Sequence, residues 1–276
     1  SQTSTMVIRG MSVGEIRLKD FFKVVFKEFR IADGNEYFAV KDGVLYDAAY
    51  TRLIGYPRGK TDETFALPEG LTQIDELSFS RACNLKTLIL PDSYVVTEDA
   101  PANALNQDGN SLARGIYNQT SIENVIAKDT NENYKSDNGI LYSKDGEKLI
   151  YIPCRHKGDI NILPGTKYIL RGAVYISGKN GTNWETVNIP SSVVYTHGDI
   201  FKVLFSYFPE RITVDSSKYF YTNDDGSKYA AFKGSRQAAA FILKYILDTP
   251  SGDIKFSPSI TSEDTPDIKT ALSLLQ

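Results

Sequence analysis

The sequence predicts a repeat solenoid built mainly of short parallel β-strands, with β-hairpin insertions and a helical C-terminal cap. The first supporting observation is an internal sequence repeat. Segment 42–46, DGVLY, recurs 96 residues later as segment 138–142, NGILY, and the alignment runs without a gap from Gly43/Gly139 to Pro68/Pro164. A match of this length at one fixed offset indicates stacked copies of one structural unit.

Two further matches at other offsets support the same architecture. Segment 84–91, NLKTLILP, aligns with segment 183–190, NWETVNIP, and segment 20–29, DFFKVVFKEF, resembles segment 199–208, DIFKVLFSYF. The offsets differ because loops of different length separate the units. Three independent matches are hard to attribute to chance.

The third observation is a recurring strand pattern. Each unit has an apolar residue, then two residues of any type, and then apolar residues at alternate positions, as in Leu85, Leu88 and Leu90. This alternation is the pattern of a short strand with one buried face. Predicted strand centres lie near residues 30, 66, 89, 125, 161, 188 and 213. The steps between centres are about 36, 23, 36, 36, 27 and 25, so plain units in the twenties occur with enlarged units in the thirties. A unit of 20–29 residues with this pattern is the leucine-rich-repeat period.

Two of the enlarged units contain predicted β-hairpins. The first pairs residues 44–46 with 53–56, and the second pairs 140–142 with 149–151. Asp145-Gly146 is a strong turn signal because glycine accepts a positive φ. The first copy has Ala49-Tyr50 at this place, which predicts a turn of another kind. The return segments 73–79 and 169–175 are predicted to be irregular or single turns that end in an aromatic residue.

The pattern divides the chain into three parts. Residues 1–12 are predicted to be an N-terminal tail, 13–221 the solenoid with its hairpins, and 222–276 a C-terminal capping region. Within the last part, residues 234–247 read as an amphipathic helix, which would cover the final core face of a solenoid. Residues 97–119 are an insertion with no counterpart.

The combined motifs resemble a known family. Residues 40–46, 53–57, 67–74 and 84–93 are together similar to the BspA-like family of leucine-rich repeats, and the resemblance covers roughly residues 13–221. It implies an exported or surface-displayed bacterial protein that acts in adhesion and protein binding without catalysis. The implied location is the cell surface or the periplasm, with the export signal or lipid anchor absent from this sequence.

Composition excludes several classes of function. The net charge is −3 without a dense basic cluster, which argues against nucleic acid as a partner. No run of about 18 apolar residues is present, so no membrane span is expected. The sequence leaves the oligomeric state open.

The sequence offers no catalytic set. His156 and His197 are the only histidines, and neither has a metal-ligand partner three or four residues away, so both are expected to be surface residues without a role. Cys83 and Cys154 lack metal-ligand spacing and are expected to be buried or half-buried thiols. We therefore expect no enzyme activity, no cofactor and no metal; an enzyme site in the 97–119 insertion or the C-terminal part is a remote alternative.

The tyrosines of the predicted hairpins allow two interpretations. They could stack on carbohydrate, or they could pack the hairpins against the solenoid, which their repetition at equivalent positions favours. The residues are Tyr46, Tyr56, Tyr142 and Tyr151.

The exposed side of the stacked strands is the predicted binding surface. Its mixed polar and aliphatic side chains form a broad, shallow row, which suits a protein or an extended polymer more than a small molecule. The alternative is a solvated strand face without a ligand. The candidate ligand-binding residues are Arg30, Thr87, Ile89, Asn124, Ile126, Thr186 and Asn188. The predicted function is protein recognition or adhesion, with a glycan-binding accessory protein of polysaccharide uptake as the second hypothesis.

Overall fold

The chain folds into a solenoid whose front consists of parallel strands. The computed structural model describes residues 5–9, 24–99, 109–117, 120–175, 182–190, 192–193, 195–196, 212–214, 220–222, 228–230 and 254–256. The front strands are β1 (Thr5–Ile8), β2 (Glu28–Ile31), β6 (Thr64–Ala66), β8 (Thr87–Leu90), β9 (Asn124–Ala127), β13 (Gly158–Asn161), β15 (Trp184–Ile189) and β17 (Ile212–Val214). A strand lies at each of the seven predicted centres, and β1 adds one more inside the predicted tail.

The front strands form three parallel sheets rather than one. β1 pairs with β2, β6 with β8 and β9 in that order, and β13 with β15 and β17. The buried position of each strand stacks on that of the next, since Phe65 is opposite Leu88 and Leu88 is opposite Val125. This in-register stacking creates the elongated core expected for a repeat protein.

A three-stranded antiparallel meander separates each pair of front sheets. The first meander contains β3 (Phe38–Lys41), β4 (Val44–Asp47) and β5 (Arg52–Gly55), and the second contains β10 (Tyr134–Asp137), β11 (Ile140–Ser143) and β12 (Lys148–Tyr151). The predicted hairpins β4–β5 and β11–β12 are confirmed. The strand that precedes each hairpin, β3 or β10, was not predicted.

The return segments contain short strands that the sequence analysis did not predict. β7 (Gln73–Ile74) pairs in parallel with β5, and β14 (Tyr168–Ile169) pairs in parallel with β12. The back sheet that includes β14 continues through β16 (Tyr195–Thr196), β18 (Phe220–Thr222), β19 (Lys228–Ala230) and β20 (Ile254–Phe256). As predicted, an aromatic residue ends each return segment: Phe79 is fully buried, and Tyr175 packs on the core half-buried.

The end of the 97–119 insertion forms a short helix in the back layer. Helix α1 (Ser111–Ile116) is capped at its N-terminus by Asn110, whose side chain accepts a hydrogen bond from the Ala113 amide. Leu112 and Ile116 are buried in the core, and a Cβ atom on Gly115 would lie 2.5 Å from Ile74. The glycine therefore permits the close approach of α1 to β7.

The predicted helix at 234–247 lies outside the described residues. In the part of the chain that the structure describes, no helix has the length and apolar character needed to cross a membrane.

Candidate functional site

The sheet β6–β8–β9 presents two rows of outward-facing residues in register. Ile89 is opposite Ala66 on one side and Ile126 on the other, which produces an aliphatic row across three strands. Thr87 is opposite Thr64 and Asn124, which produces a parallel polar row. Four of the seven candidate residues, Thr87, Ile89, Asn124 and Ile126, are therefore brought together, and all four are half-buried.

Sequence reasoning missed the two members of these rows on β6. Thr64 and Ala66 are both exposed and flank the buried Phe65. The signal was present in the alternation around Phe65, but the short strand lacks the leucine pattern of its neighbours. With these two residues included, the outward-facing surface of β6–β8–β9 consists of six residues, which we call the front face: Thr64, Ala66, Thr87, Ile89, Asn124 and Ile126.

The second meander closes the front face beside β9. The Val125 amide donates to the Gly139 carbonyl at 2.9 Å, and the Ala127 amide donates to Ser136 Oγ at 2.7 Å. A Cβ atom on Gly139 would collide with Asn124 Oδ1. Asn124 therefore lies at the border of the front face, against the meander turn.

His156 fills the joint between β9 and the next front sheet. The side chain is only 3% exposed, with Nδ1 3.3 Å from the Glu123 carbonyl oxygen and Nε2 3.4 Å from Asn138 Nδ2. Burial lowers the pKa of His156, partly offset by the carbonyl and the charge of Glu123. The expectation of a surface histidine was wrong, because the sequence does not show that the meander turn at Asn138 and the segment before β9 pack against His156. His197 lies outside the described residues.

The candidate residues Thr186 and Asn188 lie on the next sheet, beyond the second meander. The Thr186 hydroxyl donates to Asp159 at 2.5 Å, and the Asn188 amide donates to Asn161 at 2.6 Å. These bonds join β13 to β15 side by side. The two residues therefore link neighbouring units and do not extend the front face.

Arg30 lies on the first sheet and is also separate from the front face. Its guanidinium pairs with Glu28 at 2.7 Å, and the same carboxylate oxygen accepts a hydrogen bond from the Thr5 hydroxyl. The turn at Gly43 lies against β2, because the Phe29 amide donates to the Gly43 carbonyl. The first meander thus ends this sheet as the second meander ends β6–β8–β9.

The hairpin tyrosines are packing residues. Tyr46, Tyr56, Tyr142 and Tyr151 are at most 2% exposed, so none presents a ring to a sugar. The Tyr142 hydroxyl accepts a hydrogen bond from the Leu163 amide, and burial raises the pKa of the Tyr142 phenol. The packing interpretation of the four tyrosines is confirmed.

The acidic residues near the front face are held in ion pairs. Glu63 pairs with Lys86 at 2.5 Å, and Glu123 pairs with Lys157 at 2.9 Å. Within the described ranges, no group of three histidine, cysteine or carboxylate side chains is arranged to hold a metal ion. These pairs link neighbouring units across the surface. Because they are exposed, each contributes only modestly to the stability of the protein.

The two cysteines differ in environment. Cys83 is exposed, contrary to the expectation of two buried or half-buried thiols, and its thiol lies 3.0 Å from the Arg81 carbonyl oxygen. Cys154 is half-buried, and desolvation raises its pKa to about 11. A raised pKa of this kind is typical of structural thiols.

The parallel front ladder, the short back strands and the repeat length define a leucine-rich-repeat solenoid. No family model matches the chain, and no curated protein matches it significantly. Among solved structures, the chain is similar to a leucine-rich cell surface protein from Faecalibacterium prausnitzii, with 18% identity and a TM-score of 0.40 over 79% of this chain and 49% of that one.

Two other solved structures show comparable similarity. A leucine-rich repeat protein from Eubacterium ventriosum has 12% identity and a TM-score of 0.38 over 72% of this chain and 52% of that one. The pneumococcal vaccine antigen PcpA has 18% identity and a TM-score of 0.30 over 68% of this chain and 49% of that one. The chain thus spans about half the length of these structures.

Proposed function

We propose that this protein is a non-enzymatic binding protein, exported to the cell surface or periplasm, that recognises a protein partner through the front face. The observation that supports the proposal is the register of Ala66, Ile89 and Ile126, which lines up three aliphatic side chains across adjacent strands. The polar row of Thr64, Thr87 and Asn124 beside them supplies hydrogen-bonding groups. An apolar strip bordered by polar groups is typical of protein interfaces.

The shape of the front face favours a macromolecular partner. Its strands are short and parallel, and the described part of the face is an open surface bordered by the second meander at Gly139. Small-molecule ligands are instead bound in concave pockets that enclose most of their surface. The glycan alternative loses its main sequence support because the four hairpin tyrosines are buried.

The proposal is tested by binding of the labelled chain to immobilised extracellular matrix proteins: fibronectin, laminin and collagen. We expect saturable binding to at least one of them, and a loss of about tenfold or more in affinity for the double variant Ile89→Lys/Ile126→Lys, because two charges interrupt the aliphatic row. The control is Asn188→Ala on the neighbouring sheet, which should bind as the unmodified chain does. Equal affinity of the double variant and the unmodified chain would contradict the proposal.

A further inference from the structure

A row of alternating charges crosses the beginning of the front strands. Glu63, Lys86 and Glu123 immediately precede β6, β8 and β9, and Lys157 immediately precedes β13. The Lys86 amide donates to the Glu63 carbonyl and the Glu123 amide donates to the Lys86 carbonyl, both at 2.8 Å, so these three residues lie side by side. The signs run negative, positive, negative, positive along these four residues, which we call the charge row. The charge row borders the polar row of the front face.

Each member of the charge row interacts with a neighbour of opposite sign. The Lys86 ammonium lies 2.5 Å from the Glu63 carboxylate, and the Lys157 ammonium lies 2.9 Å from the Glu123 carboxylate. The hydrogen bond and charge of Glu63, together with the charge of Glu123, raise the pKa of Lys86. The Lys86 side chain is 43% exposed, that of Glu63 is 67% exposed and that of Glu123 is 19% exposed. The charge row is therefore accessible to another molecule.

The order of the signs makes the charge row complementary to its own reverse. A two-fold axis that runs parallel to the strands, midway between β8 and β9, turns the front face over and reverses the order of its strands. Lys86 of one copy then faces Glu123 of a second copy, and Glu63 faces Lys157. Each of the four charges meets a charge of opposite sign.

The same rotation pairs the outward-facing rows of the front face. Ile89 and Ile126 are opposite each other in the β8–β9 pair, as are Thr87 and Asn124. Ile89 of one copy therefore faces Ile126 of the second copy, and Thr87 faces Asn124. The aliphatic contact lies at the axis with polar groups and charges beside it, which is the arrangement of an interface core and its rim.

We propose that a second copy of this chain occupies the front face, in a two-fold dimer whose axis lies between β8 and β9. A two-fold contact uses the same patch on both copies, and it closes at two chains. Each chain has a net charge of −3, so two copies repel each other in general. The charge row sums to zero and brings opposite signs together in this orientation, which favours it over others.

The dimer is expected to be weak and reversible. The front face has six residues and the charge row has four, whereas a stable interface uses about 20–30 residues on each side. The inference rests on the proposed function, because the same face serves both. It adds a form of regulation, in which two copies cover the front face of each other until another protein displaces one of them.

The test is sedimentation equilibrium of the full chain at concentrations up to about 1 mM, where we expect a monomer–dimer equilibrium with a Kd of about 100 µM. Lys86→Glu and Glu123→Lys should each raise the Kd about tenfold or more, because each brings two pairs of like charges together across the axis. Melting temperatures confirm that each variant is folded.

Lys167→Glu is the matched control. The Lys167 ammonium lies 2.5 Å from the Glu147 carboxylate and the Lys167 amide donates to the Glu147 carbonyl, so this pair has the local geometry of Lys86 and Glu63 but lies at the beginning of back strands. Lys167→Glu should leave the Kd within about twofold of the unmodified chain.

A mixture of the two front variants tests the two-fold arrangement itself. Two Lys86→Glu chains oppose negative charges and two Glu123→Lys chains oppose positive charges, whereas a mixed dimer again pairs opposite signs at both contacts. We expect the mixture to dimerise with a Kd within about threefold of the unmodified chain. Three outcomes would overturn the proposal: an unmodified chain that is monomeric throughout, an unchanged Kd for Lys86→Glu, or a mixture of folded variants that stays monomeric.

The dimer and the proposed function can fail separately. A monomeric chain that binds a matrix protein, and loses it in Ile89→Lys/Ile126→Lys, would overturn the dimer alone. A dimer that the same double variant dissociates, without binding to any of the three matrix proteins, would support the dimer and contradict the proposed function.

Discussion

Single residues show how the two meanders reach the same packing by different means. Tyr50 in the first turn has a φ of 57° and Gly146 in the second has a φ of 79°, and in both turns the backbone amide of this residue donates a hydrogen bond to the carbonyl oxygen three positions earlier. The prediction that the first turn is of another kind was therefore wrong. The error arose because tyrosine rarely adopts this conformation. The second meander has Lys135 where the first has Ala39, and a Cβ atom on Gly146 would collide with the Lys135 ammonium. The small Ala39 therefore leaves room for the Tyr50 side chain, which becomes visible only in three dimensions.

The exchange predicts strong coupling between positions 39 and 50. Ala39→Lys alone should destabilise the protein by about 1–2 kcal/mol, because the lysine and the Tyr50 ring compete for one place. In the Tyr50→Gly background the same change should cost less than about 0.5 kcal/mol, since the pair then matches the second meander. Urea denaturation of the four proteins of the cycle measures the coupling. Additive free energies of unfolding would show that the two side chains do not share a place.

Asn110 is predicted to be a key polar residue of the core. It is 1% exposed; its amide donates to the carbonyl oxygens of Ile150 and Arg171, both at 2.9 Å, and its oxygen accepts from the Ala113 amide at 2.8 Å. Asn110→Ala should lower the free energy of unfolding by about 3 kcal/mol, because buried groups lose their partners and α1 loses its cap.

Chemical denaturation measures the effect of Asn110→Ala, with Asn133→Ala as the control. The side chain of Asn133 makes one exposed bond, to the Asp92 carbonyl at 3.3 Å, so its removal should cost less than about 0.5 kcal/mol. Similar losses in both variants would mean that Asn110 is not a structural link between the insertion and the next unit.

At the scale of elements, the meander turns terminate the front sheets. Asp42-Gly43 and Asn138-Gly139 have positive φ at both residues, the pattern of a two-residue type I′ turn, and each turn lies against the front strand that precedes its meander. In the sequence these residues were recognised only as part of the internal repeat, and the hairpin turn was predicted elsewhere. Asn-Gly and Asp-Gly are the strongest local hairpin signals, so β3 and β10 were detectable from the sequence alone.

Gly139 combines two requirements that can be separated by mutation. Its φ is 77°, and a Cβ atom there would collide with Asn124 Oδ1, whereas Gly165 has a φ of 96° with nothing within 4 Å of the added atom. Gly165→Ala should cost about 1 kcal/mol through its backbone conformation alone. Gly139→Ala should cost about 1–2 kcal/mol more, measured by urea denaturation, and Asn124→Ala should recover part of that difference. Equal costs at the two glycines would contradict the contact between turn and strand.

The burial of His156 between β9 and the next front sheet predicts that the stability of the protein depends on pH. Its folded-state pKa lies below the ordinary value of 6.5, so the unfolded chain binds a proton more readily. Stability from this residue is fully present above about pH 6.5 and is lost as the pH falls through the folded-state pKa. His156→Gln should reduce the fall in melting temperature between pH 7 and pH 5. An identical pH profile in the variant would show that the histidine is not desolvated.

At the scale of the whole molecule, the repeat predicted the fold well but not how the front strands are grouped into sheets. The seven strand centres follow from the alternation of apolar residues, because burial of one face imposes that pattern locally. The division of the front into three sheets does not follow from it, because it depends on where each meander lies against the strand before it. For this reason Thr186 and Asn188 were grouped with Ile89 although the second meander separates them.

If a protein partner binds the front face and not the neighbouring front sheets, as we propose, a charge placed on each sheet in turn will distinguish them. A lysine is introduced singly on each sheet as Val7→Lys, Ile89→Lys or Asn188→Lys, and the affinity for the bound matrix protein is measured by surface plasmon resonance. We expect a loss of affinity of about tenfold for Ile89→Lys and of less than about twofold for the other two variants. A loss of equal size on all three sheets, or a loss confined to Val7→Lys or Asn188→Lys, would contradict it.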